Sequence, residues 1–133
     1  MGEDLRLLLD THALLWFAVG DGRLPGRVRP LIEDAGNQVI VSAASAWEIA
    51  AKFRKGKLPQ SEYLVVNWFE ILAHLRMQEL PISAAHALRS GLLALENADP
   101  FDRVIAAQAL IEGLPVASIE ATWDAIGVVR VWE

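Results

Sequence analysis

Short apolar runs, each passing directly into a stretch of helical pattern, limit what this chain can fold into. Gln38-Val39-Ile40-Val41-Ser42 is β-branched and follows the turn-forming pair Gly36-Asn37, which favours a buried strand. Residues 43–54 come next, alanine-rich and with apolar positions 46, 47, 50 and 53 at helical spacing. The order is strand, then helix. Leu5-Arg6-Leu7-Leu8-Leu9 ends on the polar Asp10 and leads into helical character over residues 13–20; read alone, that run fits either strand or helix. Near the C-terminus, residues 101–112 carry apolar side chains at 101, 104, 105, 109 and 110 and stop at Gly113. Residues 114–118 and 128–132 are strand candidates, and residues 62–75 and 83–95 read as helices, the second opening on a capping Ser83. Strands alternating with helices predict an α/β fold with a mainly parallel sheet covered on both faces.

At 133 residues, 53% apolar and 22% charged, the chain suits one domain over residues 1–133 with a real core. The longest apolar stretches fall far short of the roughly 20 residues a membrane-spanning helix needs. No secretory signal pattern opens the chain, and there is no cysteine, so disulfides and thiolate metal sites are excluded and a cytoplasmic setting is expected. The formal charge of −5 is awkward for a partner made of phosphates, because such binding usually leaves a basic footprint.

Ligands of open parallel α/β sheets gather beyond the carboxyl ends of the strands. Four acids fall at such places. Asp10 follows the first run, Glu48 lies in the helix after the second, Asp102 opens the helix near Phe101, and Glu120 comes two residues after the candidate strand ending at Ser118. Like charges gathered in one cleft resist ionising together, so a cation is expected among them, and hard oxygen ligands suit Mg²⁺ or Mn²⁺. Duller roles exist for each: Asp10 as a helix N-cap, Asp102 as a partner of a helix dipole, Glu48 as a solvated helix residue.

The segment Leu7-Leu8-Leu9-Asp10-Thr11-His12-Ala13-Leu14-Leu15-Trp16 resembles the opening motif of PIN-domain proteins, specifically the VapC-type toxins of bacterial toxin–antitoxin pairs. Val41-Ser42-Ala43-Ala44-Ser45-Ala46-Trp47-Glu48-Ile49-Ala50, continued to Gly56-Lys57-Leu58, is similar to the second motif, and Asp99-Pro100-Phe101-Asp102-Arg103-Val104-Ile105-Ala106-Ala107-Gln108-Ala109 to the third. Residues 116–132 resemble the closing segment. The resemblance implies a three-layer α/β/α domain and a Mg²⁺-dependent (or Mn²⁺-dependent) endoribonuclease acting on tRNA or rRNA. It further implies a homodimer whose groove admits a cognate VapB-like antitoxin. By motif position the acidic ligands are Asp10, Glu48, Asp102 and Glu120, with Asp99 as an assistant or a cap and Ser118 as a partner for a phosphate or a metal-bound water. Two departures stand out: Glu120 where Asp is usual, and Asn97 where His is common. They motivate a second reading, a catalytically weak module that acts by binding antitoxin or RNA.

Other residues are weighed on pattern alone. His12 reads as a packed residue, His74 and His86 as surface or packing residues, and the five tryptophans as core or dimer interface rather than base-stacking platforms. Lys52, Arg54, Lys55 and Lys57 form a basic cluster open to RNA contact, and Arg103 faces either an acid or a phosphate. An aspartyl-phosphate enzyme ranks low, because Asp10-Thr11-His12 has no second Asp two residues on.

Overall fold

The computed structural model describes residues 4–96 and 98–133, so Asn97 lies outside it. Strands β1 (Arg6–Leu9), β2 (Gln38–Ser42), β3 (Met77–Leu80), β4 (Val116–Ala117) and β5 (Arg130–Val131) form one sheet in the order β3-β2-β1-β4-β5, every neighbouring pair parallel. The open reading of the first run is thereby settled as a strand. It occupies the centre of the sheet, with Leu8 level with Ile40 on one side and Val116 on the other.

Alternation along β1 assigns the two faces. Leu7 and Leu9 point into a core with Val39, Val41 and the helices α1 (Thr11–Val19), α2 (Val28–Glu33), α4 (Glu62–Val66) and α5 (Trp68–His74). Leu8 points the other way, with Ile40 and Val116, onto α7 (Pro100–Glu112) and Trp123. The helix α3 (Ala43–Arg54) serves both layers, giving Ile49 to the first core and Ala44 to the second. This is the expected three-layer α/β/α arrangement, with its sheet buried on both faces.

Three elements differ from expectation for identifiable reasons. The helix expected over residues 62–75 is two helices, because Asn67 (φ −118°, ψ 28°) leaves helical geometry between them and turns its amide back to the Tyr63 carbonyl. The strand β3 was missed; as an edge strand it buries Met77 but exposes Gln78 and Glu79, so it lacks the apolar run of a central strand. The helix expected over residues 83–95 is α6 (Ala84–Leu92), capped by Ser83 as anticipated, and the chain turns extended at Leu93. Beyond that turn, the guanidinium of Arg103 on α7 donates to the carbonyls of Ser90, Gly91, Leu93 and Leu95, supplying partners that a continued helix would otherwise provide. At the far end of α7, Gly113 adopts φ 66°, the left-handed geometry that stops the helix.

Arg103 therefore acts as a clamp between α7 and the segment leading to the third motif. Replacing it by methionine leaves several carbonyls unanswered and is expected to cost about 1–3 kcal/mol. A lowered urea midpoint, together with faster limited proteolysis near residues 91–95, is the expected result.

Candidate metal centre

The strand order reverses at β1 and β4, both central, and the crevice at their carboxyl ends is where such sheets present ligands. Asp10 stands at the end of β1, 1% exposed, in extended geometry as the N-cap of α1; its Oδ1 accepts from the Ala13 N–H at 2.8 Å. Ser118, fully buried just past β4, hydrogen-bonds the Asp10 carboxyl and accepts the Glu120 N–H at 3.0 Å. One hydroxyl thus ties two of the four acids to the sheet. Glu120 itself is half-buried at the head of the 3-10 turn Ala121–Ile126.

The other two acids come from helices. Ser42 caps α3 through the Ala44 N–H, and one turn further on Glu48 is carried inward, 2% exposed. Asp99 caps α7 by accepting the Asp102 N–H at 2.8 Å, which fixes Asp102 in the first turn. The capping and the functional readings of Asp10 and Asp99 are compatible, since each cap uses one carboxyl oxygen.

Electrostatics show that these side chains share one region. Desolvation pushes the Asp102 carboxyl up to about 7, reinforced by the charges of Asp99, Glu48, Glu120 and Asp10. Burial pushes Asp10 up to about 6, opposed by its hydrogen bonds from Ala13 and Ser118 and by His12, and helped by Glu120. Glu48 Oε2 is paired with the Lys52 ammonium one turn along α3, while Glu48 Oε1 is buried with no partner. For Lys52, desolvation pulls the pKa down. The Glu48 hydrogen bond and the charges of Glu48, Asp99 and Asp102 outweigh it, so the ammonium is held above the usual lysine value.

Among the described residues, no three His, Asp or Glu side chains stand close enough to enclose a metal ion by themselves. The donors still fit a hard divalent cation that keeps several waters: they are all oxygens, and a buried orphan such as Glu48 Oε1 is costly unless something cationic or protic meets it.

Lys52 and Arg103 differ from their sequence reading, while the histidines keep to theirs. Lys52 turns into the acids, whereas Arg54, Lys55 and Lys57 are exposed. Trp68, Trp123 and Trp132 are core, but Trp47 is 57% exposed and packs edge-to-face on Phe101 at 4.7 Å. These two aromatics immediately precede Glu48 and Asp102, a juxtaposition that sequence distance hides. Arg103 spends its donors on carbonyls rather than on an acid, and His86 is buried between the Ser83 N–H and Glu112. His74 is exposed, and His12 packs against Trp16 with ring centroids 5.4 Å apart.

The raised carboxyl values carry a stability consequence. Between the ordinary carboxylate range and about pH 7 the folded state binds more protons than the unfolded one, so this contribution is full at low pH and is lost as pH rises. With chelator present, the excess of the Asp102→Asn melting temperature over that of the wild type is expected to grow from about pH 4 to about pH 7 and to level off above it. A constant difference across that range would contradict the assignment.

With this geometry in place, comparison with known proteins is informative. Residues 7–127 match the family model described as PIN domain. A stretch of 34 residues is 53% identical to ribonuclease VapC16 of Mycobacterium tuberculosis, spanning 26% of this chain and 24% of that protein. The fold is similar to the sarcin–ricin-loop-cleaving toxin VapC20 of M. tuberculosis, at TM-score 0.68 and 16% identity over 96% of this chain and 99% of that one. It is also similar to VapBC2 of Rickettsia felis bound to a promoter DNA fragment, at TM-score 0.67 and 16% identity over 97% and 100% of the two chains. At such identities the two structures speak for the fold alone, whereas the family model spans most of the sequence, its motifs and the carboxyl edge of the sheet: the chain belongs to the PIN-domain family.

Proposed function

We propose that this protein is a divalent-metal-dependent endoribonuclease toxin of the VapC kind, acting in the cytoplasm and restrained by a VapB-like antitoxin. One observation carries the reading: carboxylates from β1, α3 and the segment after β4 all lie near enough to raise the proton affinity of Asp102 on α7, at the sheet's switch point, and one of them has a buried oxygen lacking any partner. Asp10, Glu48, Asp102 and Glu120 hold the cation, with Mg²⁺ or Mn²⁺ the fitting ions. When bound, such an ion neutralises charge on the scissile phosphate and lowers the pKa of an attacking water.

The remaining work belongs to the chain. Ser118 orients Asp10, and Asp99 fixes the first turn of α7 so that Asp102 faces the cleft. Asp102 holds a proton near neutrality in the metal-free protein and releases it on cation binding. The exposed indole of Trp47 offers a face for an unpaired base, and Arg54, Lys55 and Lys57 offer charge to neighbouring phosphates. The likeness to VapBC2 supports a VapB-like partner, and the likeness to VapC20, a toxin that cleaves the sarcin–ricin loop, supports structured RNA as substrate. A homodimer of this chain is part of the same reading.

Protein freed of antitoxin is expected to cut total RNA in Mn²⁺ or Mg²⁺ and to fall to background with EDTA or as Asp10→Asn. Cleavage that survives both removes the mechanism.

A second reading, a weak enzyme acting mainly by binding, is favoured by the absence of a ready-made ligand trio among the described residues. Glu120 carries one methylene more than the usual Asp. If that misplacement is what weakens the site, Glu120→Asp raises the cleavage rate at least several-fold; an unchanged rate leaves the weak-enzyme reading without its cause.

A further inference from the structure

The Glu48–Lys52 pair is not an ordinary helix-surface ion pair. Pairs at i, i+4 normally lie in solvent, where they contribute a few tenths of a kcal/mol. Here the carboxylate is 2% exposed and is met by a lysine whose side chain keeps 36% exposure, while the three other basic residues at that helix end are exposed. Lys52 also lines, with Glu48, Thr11, His12 and Ser61, a cleft of about 230 Å³.

The acids divide around Asp102. Lys52 attracts Glu48, Asp99 and Asp102, Glu120 repels Asp10, and Asp102 feels the acids on both sides. A cluster of this kind has room for two positive charges. One of them is already covalently attached.

Building on the metal-dependent reading above, we propose that the Lys52 ammonium is the site's resident second cation, occupying Glu48 Oε2 so that the chain binds a single divalent ion through its remaining oxygens, Glu48 Oε1 among them. The ammonium and a divalent ion compete for the same carboxylate oxygen, and tethering one turn away gives the lysine an advantage that no free ion has. Holding Glu48 by one oxygen also presents the other in a fixed direction, so Lys52 is a positioning residue as well as a counter-charge. The same arrangement limits how much negative charge the metal-free cleft accumulates, consistent with a Glu48 that stays buried in the absence of an ion.

The test is a Mn²⁺ titration of the intact chain, with free Mn²⁺ read by electron paramagnetic resonance, in wild type, Lys52→Met and Lys52→Arg, each checked for native circular dichroism. Wild type and Lys52→Arg are expected to bind one equivalent, and Lys52→Met two. Two equivalents in the wild type, or one in both wild type and Lys52→Met, overturns the assignment of Lys52 while leaving the metal-dependent reading intact. No binding by any of the three proteins removes that reading and the inference with it.

Discussion

Everything at the functional end of this molecule depends on withdrawing several carboxylates from water together. Removing an ionised group from water costs several kcal/mol unless hydrogen bonds or opposite charge compensate, and like charges nearby add to that cost. The fold answers residue by residue. Asp10 receives an amide and a hydroxyl, Glu48 receives an ammonium, and Asp102 shifts towards its neutral form near pH 7. What is left over is a partly compensated negative pocket. Its residual deficit is a chemical description of the ligand that completes it.

The central strands make that pocket possible because they set its floor rigidly. Leu8 and Leu9 are flanked by partners on both sides and buried on both faces, so Asp10, the next residue, has little freedom to move. Ser118 after β4 then ties Asp10 to the backbone of Glu120. The helical acids are aimed by caps instead: Ser42 starts α3 and Asp99 starts α7. Local folding signals and functional geometry are therefore the same interactions, and a change to Asp99 alters helix initiation and ligand placement together.

This coupling explains which parts were legible in the sequence. The central strands and their following helices announce themselves through β-branched runs, alanine-rich helical spacing and the stop at Gly113, and the acids are found by asking what lies just past each strand. The edge strand β3 escaped because Gln78 and Glu79 face water, and the break at Asn67 because one residue's dihedral angles carry little pattern. At the site, motif order brings Asp10, Glu48, Asp102 and Glu120 together, but it does not say where long flexible side chains go. Lys52 reads as one member of a solvated cluster until its ammonium is located. Arg103 reads as a phosphate or acid partner until four carbonyls account for it. Trp47 reads as core or dimer interface, and its exposure beside Phe101 removes the first of these.

The charge balance, which at first argues against a phosphate partner, looks different once it is mapped. The chain has seventeen acidic and twelve basic residues. Asp10, Glu48, Asp99, Asp102 and Glu120 account for five of the acids and Lys52 sits among them, so four of the five units of formal excess are concentrated at one cleft. Screening length in physiological salt is roughly 8 Å, so a distant phosphate feels only the local balance and not the sum over the molecule. Under the proposed metal-dependent reading, a bound cation would offset the one region of strong repulsion, and the exposed bases at the end of α3 would then lie beside a neutralised site rather than an acidic one. Net acidity in such a protein reflects the acids of one cleft. It is a poor guide to the sign of its partner.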